Sequence, residues 1–256
     1  MQAVILAGGA GTRLYPLTAD VPKPMILING KPFLLYLVEY LRGYGIKDFV
    51  FCTGYLPEKF SEFFGNGEKF GVKIDYSVEK EFLGTGGALK LAEPFLGDDF
   101  LVLNGDTYLP IDYSQLYKEF KRMNKLAMLV AYDNRENAAE ANTAVAQGLV
   151  TAYNKREPLK KGDQPHPLNP PLHRRWIGGN PNEVREGVRF DYVDAGAYVF
   201  KREILSLIAK NTFVALEADI YPELIKTKEL AAFVTNQRYY DMGTPERLEL
   251  VKQVLK

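Results

Sequence analysis

Short apolar runs alternate with amphipathic segments through the first half of this chain, and no other feature restricts its fold as strongly. Residues 3–7, 48–53, 72–78, 100–103 and 126–132 read as strands. Residues 31–41, 57–64, 86–95 and 113–123 lie between them and read as helices. Such alternation predicts an α/β protein with a mainly parallel sheet and helices on both faces. The second half offers strands at 148–153, 190–200 and 230–235, and helices at 202–209, 216–227 and 245–255.

One stretch breaks the pattern. Residues 156–189 show no periodicity and hold six of the chain's 15 prolines, both histidines (His166, His173) and the one tryptophan, Trp176. That composition reads as a Pro/Gly-rich surface insertion in a single domain spanning residues 1–256. A metal role for the two histidines would want closer supporting ligands. Cys52 is the single cysteine and lies in an apolar run, so it reads as a small core residue. Lys plus Arg and Asp plus Glu both number 32. A neutral chain of this kind is not expected to bind nucleic acid generally. No run of about 18 apolar residues offers a membrane span. The N-terminus lacks a basic leader, so the expected location is cytoplasmic. A homo-oligomer is compatible with all of this.

The chemistry gathers where the first strand ends. Leu6-Ala7-Gly8-Gly9-Ala10-Gly11-Thr12-Arg13 places glycines directly after an apolar run. Glycine lets the backbone turn sharply and approach a ligand closely. Successive N–H groups in such a turn form an anion-binding concavity, and Arg13 adds a planar fork for phosphate oxygens. The spacing differs from the dinucleotide fingerprint, because Leu14 stands where the third glycine would be, and it is not a P-loop. Further on, Pro22 and Pro24 fix the backbone around Lys23. Alone, the glycines also suit a plain tight turn, and Pro-Lys-Pro a solvated one.

Taken together, the run from Leu6 to Thr18 with Pro22-Lys23-Pro24 resembles the signature of the sugar-1-phosphate nucleotidyltransferases. The look is nearest to the guanylyl members that use mannose 1-phosphate or heptose 1-phosphate. The resemblance covers about residues 1–153 and 188–251 and implies a Rossmann-like, doubly wound fold. It implies Arg13 and Lys23 as catalytic cations. It implies a nucleotide site built from Leu6, Ala7, Gly8, Gly9, Gly11, Thr12, Arg13, Glu79, Gly84, Thr85, Asn104 and Gly105. Asp106 and Asp241 match the family's two Mg²⁺ ligands, and two carboxylates completed by phosphate and water suit that ion. Asp194, Gly196 and Glu217 match segments that line the sugar pocket, with Lys155 and Arg156 as the sugar-phosphate cations. Two departures stand out. Asp194 replaces the family's usual Asn, and Lys155-Arg156 replaces its usual Glu-Lys.

The implied reaction is NTP plus sugar 1-phosphate giving NDP-sugar and pyrophosphate. A phosphate monoester has a second pKa of about 6, so the nucleophile is already an anion at neutral pH and needs no general base. The segment Leu83-Gly84-Thr85-Gly86-Gly87-Ala88 points to GTP, with UTP as the runner-up. A non-catalytic sensor of the same fold would lose one of the four charged residues, and this chain keeps them. A GT-A glycosyltransferase would want Asp-x-Asp where this chain has Asn104-Gly105-Asp106.

Overall fold

The computed structural model describes residues 1–135, 139–154 and 189–255. Its strands in chain order are β1 (Gln2–Ala7), β2 (Leu27–Ile28), β3 (Lys31–Pro32), β4 (Asp48–Thr53), β5 (Lys73–Val78), β6 (Asp99–Asn104), β7 (Thr107–Tyr108), β8 (Ala127–Asp133), β9 (Thr143–Ala146), β10 (Leu149–Tyr153), β11 (Tyr192–Lys201), β12 (Leu230–Thr235) and β13 (Tyr240–Asp241). The helices are α1 (Phe33–Gly43), α2 (Glu58–Phe64), α3 (Gly84–Ala92), α4 (Tyr113–Met123), α5 (Tyr221–Lys226) and α6 (Pro245–Val254).

Nine strands form one mixed sheet in the order β5-β4-β1-β6-β11-β8-β12-β10-β9. β5, β4, β1 and β6 pair in parallel, as do β8 and β12. β11 enters antiparallel between β6 and β8, and β10 lies antiparallel to β12 and β9. The parallel pairing expected from the alternation therefore holds in the first half, while the second half is mixed. A local cause is visible at β9–β10. Gln147 and Gly148 have φ of 52° and 74°, which suits a two-residue hairpin turn, and a hairpin pairs its strands antiparallel.

Side chains along each strand alternate between two cores. Ala3, Ile5 and Ala7 of β1 pack with Phe33 and Leu37 of α1, Phe60 of α2, Phe120 of α4 and Leu248 of α6. Val4 faces the other way, with Leu89 of α3, Val102 of β6, and Tyr221 and Leu224 of α5. Each fully buried side chain of this size contributes about 1.5–3 kcal/mol, so the two apolar faces hold the sheet between helices. α4 shows how locally the helices are specified. Asp112 caps it by accepting from the Ser114 and Gln115 N–H groups, and Asn124 ends it in the left-handed conformation.

Two expected helices differ. The segment at 202–209 is a tighter 3-10 turn at Arg202–Leu207. The segment at 216–227 opens with a wide π turn at Leu216–Ile220 before α5 begins. There the Asp219 carboxylate accepts the Ala215 N–H at 2.7 Å, and Pro222 has no N–H to donate to an α ladder. The insertion expected at 156–189, with His166, His173 and Trp176, lies outside the described residues up to residue 188. Its neighbours on either side are close together, because Tyr153 and Tyr192 both pair with Thr143 of β9. No helix among the described residues is long and apolar enough to cross a membrane.

Candidate active site

The carboxyl ends of β1, β4 and β6 open into glycine-bearing loops, the place where open α/β sheets put their ligands. Leu6 of β1 pairs with Cys52 and with Asn104. Its carbonyl then accepts the Gly105 N–H at 2.9 Å. A Cβ at Gly105 would lie 2.9 Å from that same oxygen, so only glycine fits there. Beyond Ala7, the Gly8 carbonyl accepts the Tyr55 N–H, which fixes the start of the loop. Gly11 turns back with φ +64° and leads into the short turn Thr12–Leu14. Gly9 faces open space, and the N–H groups of Gly9, Ala10 and Gly11 form no backbone hydrogen bond among the described residues. Thr12 is exposed beside them. These amides are available to an anion.

Two distant acids meet beside this loop. β7 and β13 pair antiparallel, with Asp241 opposite Thr107, and the Met242 N–H donates to the Asp106 carbonyl at 3.0 Å. The ribbon sets Asp241 next to Asp106. Each acid carries a cation. Lys23, whose aliphatic stem packs against Gly11, forms an ion pair through its ammonium with Asp106 Oδ2. Arg247 Nη1 donates to both Asp241 oxygens, at 3.1 and 2.9 Å, and the Gly243 N–H donates to Oδ1 at 2.7 Å. Burial alone would push the Asp106 carboxyl up. The Lys23 ammonium, the Thr107 hydroxyl and the Arg13 guanidinium outweigh it and hold that carboxyl below its ordinary value. Arg13 reaches the same spot, since a Cβ at Gly243 would lie 3.8 Å from its Nη1. Three cations thus surround two carboxylates, an arrangement suited to a polyanion. Among the described residues no group of three or more His, Cys, Asp or Glu could hold a metal. The pair fits Mg²⁺ only as the part of a shell that phosphate oxygens and water complete.

On the other side of the loop, Glu79 fills the space above Gly8. A Cβ at Gly8 would lie 2.0 Å from Glu79 Oε1, and one at Gly54 would lie 3.1 Å from Glu79 Cγ. The second carboxylate oxygen accepts the Leu83 N–H at 2.9 Å, and burial pushes this carboxyl up. Gly84, Gly86 and Gly87 follow. Their close approach is to another segment of the chain itself. Val214 accepts from the N–H groups of Gly86 and Gly87, and its own N–H donates to Leu83.

A third group gathers on β11. Asp194 Oδ2 accepts the hydroxyls of Tyr153 and Tyr198, each at 2.9 Å, and Oδ1 accepts the Gly196 N–H. Burial, with the Glu217 charge nearby, pushes the Asp194 carboxyl up to about 6 against these hydrogen bonds. Gly196 has φ +72°, and a Cβ there would lie 2.8 Å from Asn104 Nδ2. This contact joins the β11 acid to the end of β6 and so to Asp106. Thr85 closes the ring of contacts by donating to Glu217 at 3.1 Å.

The residues singled out in the sequence therefore fall into one contiguous neighbourhood, with Lys155 and Arg156 outside the described residues. Arg247, Thr107 and the tyrosines 153, 198 and 221 were missed. Arg247 had one usable signal, its place in the first turn of a helix that begins just after Asp241. A separate groove of about 890 Å³ lies at the opposite ends of the parallel strands, lined by Gln2, Asp48, Lys73 and Asp99 among others. It holds none of these residues.

Many known proteins are similar to this chain. A family profile described as nucleotidyl transferase matches residues 2–157. The D-glycero-alpha-D-manno-heptose 1-phosphate guanylyltransferase of Campylobacter jejuni is 32% identical over 248 residues, covering 96% of each chain. A mannose-1-phosphate guanyltransferase of Saccharomyces cerevisiae is 34% identical over 251 residues. That alignment covers 96% of this chain and 62% of the yeast protein, so the chain spans about three-fifths of that relative. The crystal structure of HddC from Yersinia pseudotuberculosis, complexed with GMP-PN, superposes with a TM-score of 0.75 at 26% identity. It covers 100% of this chain and 99% of that one.

Proposed function

Because the chain belongs to the nucleotidyl transferase family, we propose that it transfers a guanylyl group from GTP to a sugar 1-phosphate, releasing pyrophosphate and a GDP-sugar. The observation that carries this reading is the β7–β13 ribbon, which sets Asp241 beside Asp106 within reach of Lys23, Arg13 and Arg247. The parallel half of the sheet supports a Rossmann-like, doubly wound nucleotide layer in a single domain, and a cytoplasmic location goes with this reading.

The residues divide the work as follows. The open amides of Gly9 to Gly11 and the Arg13 fork hold the phosphates that leave as pyrophosphate. Lys23 offers its ammonium on the α-phosphate side. Asp106 and Asp241 would hold Mg²⁺, which would supply charge neutralisation for the phosphates. Glu79, with one oxygen held by Leu83, keeps an acceptor for the N–H groups of guanine, and Leu6, Ala7, Asn104 and Gly105 line the floor. Asp194 and Glu217 present acceptors to sugar hydroxyls, and Lys155 and Arg156 take the sugar phosphate. The chemistry is then assembly of two polyanions in line, with the cations placed where charge develops.

A matrix of kcat/KM values tests the reading. GTP, UTP, dTTP, CTP and ATP are paired with mannose 1-phosphate and D-glycero-D-manno-heptose 1-phosphate. GTP is expected to lead. A preference for UTP or dTTP by about tenfold, or about 1.4 kcal/mol, would overturn the base assignment. Absence of pyrophosphate release with every pair would overturn the reaction.

A further inference from the structure

Thr85 holds the one side chain beyond hydrogen in the stretch 84–87, and the glycines around it explain its position. A Cβ at Gly84 would lie 2.6 Å from the Val214 carbonyl oxygen, one at Gly86 would lie 2.8 Å from Val214 Cγ1, and one at Gly87 would lie 2.7 Å from the Thr212 carbonyl oxygen. Only glycine lets the two segments close to this distance. Three backbone hydrogen bonds then stitch them together. Val214 N–H donates to Leu83 at 2.8 Å, and Gly86 and Gly87 donate to Val214 at 2.8 and 3.2 Å. The turn after Glu79 and the segment before Glu217 therefore move as one piece.

Within this stitch the Thr85 hydroxyl has a fixed orientation. It accepts the Leu216 N–H at 2.9 Å and lies 3.1 Å from Glu217 Oε2. A hydroxyl carries one proton, and an oxygen that accepts an N–H from one side directs that proton elsewhere. Here it goes to the Glu217 carboxylate. A hydrogen bond to a charged group is worth more than a neutral one, and it fixes the orientation of the Glu217 carboxylate. Glu217 in turn faces Asp194, whose carboxyl feels its charge.

We propose that Thr85 is a positioning residue. Its hydroxyl orients Glu217 for the sugar and does not contact the nucleotide, although it sits in the loop that reads as base-binding. This rests on the guanylyltransferase reading for its kinetic consequence. The hydroxyl relay itself does not.

Thr85→Val keeps the shape and removes the hydroxyl, and Thr85→Ser keeps the hydroxyl. With whichever of mannose 1-phosphate and D-glycero-D-manno-heptose 1-phosphate the wild type turns over, Thr85→Val is expected to raise the KM for the sugar phosphate about tenfold, a loss of about 1.4 kcal/mol. The KM for GTP should stay within about twofold by the same argument, and Thr85→Ser should restore the sugar KM. A rise in the GTP KM as large as that for the sugar would return Thr85 to the nucleotide site. An unchanged sugar KM, or a serine variant as poor as valine, would overturn the relay. Amide hydrogen exchange at Leu216 needs no substrate. It should quicken in Thr85→Val and recover in Thr85→Ser, and unchanged exchange would overturn the relay even in a protein that turned over no sugar phosphate. Inactivity of the wild type with every pair, alongside the expected exchange result, would instead refute the reaction and leave the relay standing.

Discussion

Replacing Gly196 by alanine should destabilise the protein through two separable terms. Gly196 sits at φ +72°, and an L-residue in the left-handed region costs about 1–2 kcal/mol. The added Cβ would also lie 2.8 Å from Asn104 Nδ2 and 3.4 Å from Thr107 Oγ1. Asn104 ends β6 and can yield only by leaving its rotamer, at about 0.5–1.5 kcal/mol. Together these give about 1.5–3.5 kcal/mol. At about 2–4 °C per kcal/mol for a domain of this size, the midpoint should fall by about 3–14 °C. Urea unfolding followed by circular dichroism measures the first figure, and a thermal scan measures the second. The double variant Gly196→Ala with Asn104→Ala removes the steric partner and keeps the backbone strain. It should therefore lose less than the sum of the two single changes, by about 1 kcal/mol. A Gly196→Ala protein within about 0.5 kcal/mol of wild type would refute the argument, since that is the span of ordinary surface changes.

Asp106→Asn and Asp241→Asn should each lower turnover by about 10² or more while the protein remains folded, as loss of a charged metal ligand would. Calorimetric titration with Mn²⁺ in the presence of GTP should show weakened metal uptake in both, and wild-type uptake would dismiss the metal assignment. The Asp194 carboxyl, raised by burial to about 6 from an ordinary 3.8, binds its proton more tightly in the folded state than in the unfolded one. Its contribution to stability therefore falls as pH rises from about 4 through about 6. The tyrosines 153, 198 and 221 facing it are raised well out of that window. Relative to wild type, Asp194→Asn should gain stability as pH rises from about 4 to about 6, the range the shift spans. A pH-independent difference in urea midpoints would contradict this. Replacing 156–189 by a Gly/Ser linker of about eight residues should leave the protein folded. Tyr153 and Tyr192 flank one strand, about 10 Å apart at ordinary strand spacing, and loop closure depends weakly on length. A midpoint lowered by more than about 10 °C would show that the segment packs into the core.

Residues whose role is set by near neighbours were the legible ones. The strand ending at Ala7 announces itself by apolar side chains followed by glycines, and α4 by its cap and its apolar stripe of Tyr113, Leu116 and Phe120. Asp106 was placed by the strand that precedes it. Two-residue strands have no period to detect, so β7 and β13 left no trace, and with them the pairing that brings Asp241 to Asp106 was invisible in the sequence itself. Resemblance supplied the pair, and the ribbon supplies the cause. Thr85 and Glu217 are 132 residues apart, and nothing local in either segment states that the glycines of one make room for the backbone of the other. The π turn at Leu216–Ile220 was lost for a related reason, because the Asp219 carboxylate accepts the Ala215 N–H there and interrupts an otherwise helical pattern.

The order in which these parts leave the ribosome follows from the ribbon. Synthesis runs from the N-terminus, and domains begin to fold as their segments emerge. A nascent chain extended through Thr235 carries all nine strands of the sheet, with Asp106 and its ion-pair partner Lys23, though not the α6 residues that finish one core. It does not yet carry Asp241. The nine-stranded sheet can therefore be complete while the candidate site still lacks its second carboxylate, and the β7–β13 ribbon forms only when Tyr240 and Asp241 pair with Thr107 and Tyr108. If Asp241 holds the metal as proposed, a growing chain commits to its fold before it gains the second acid needed to act on GTP.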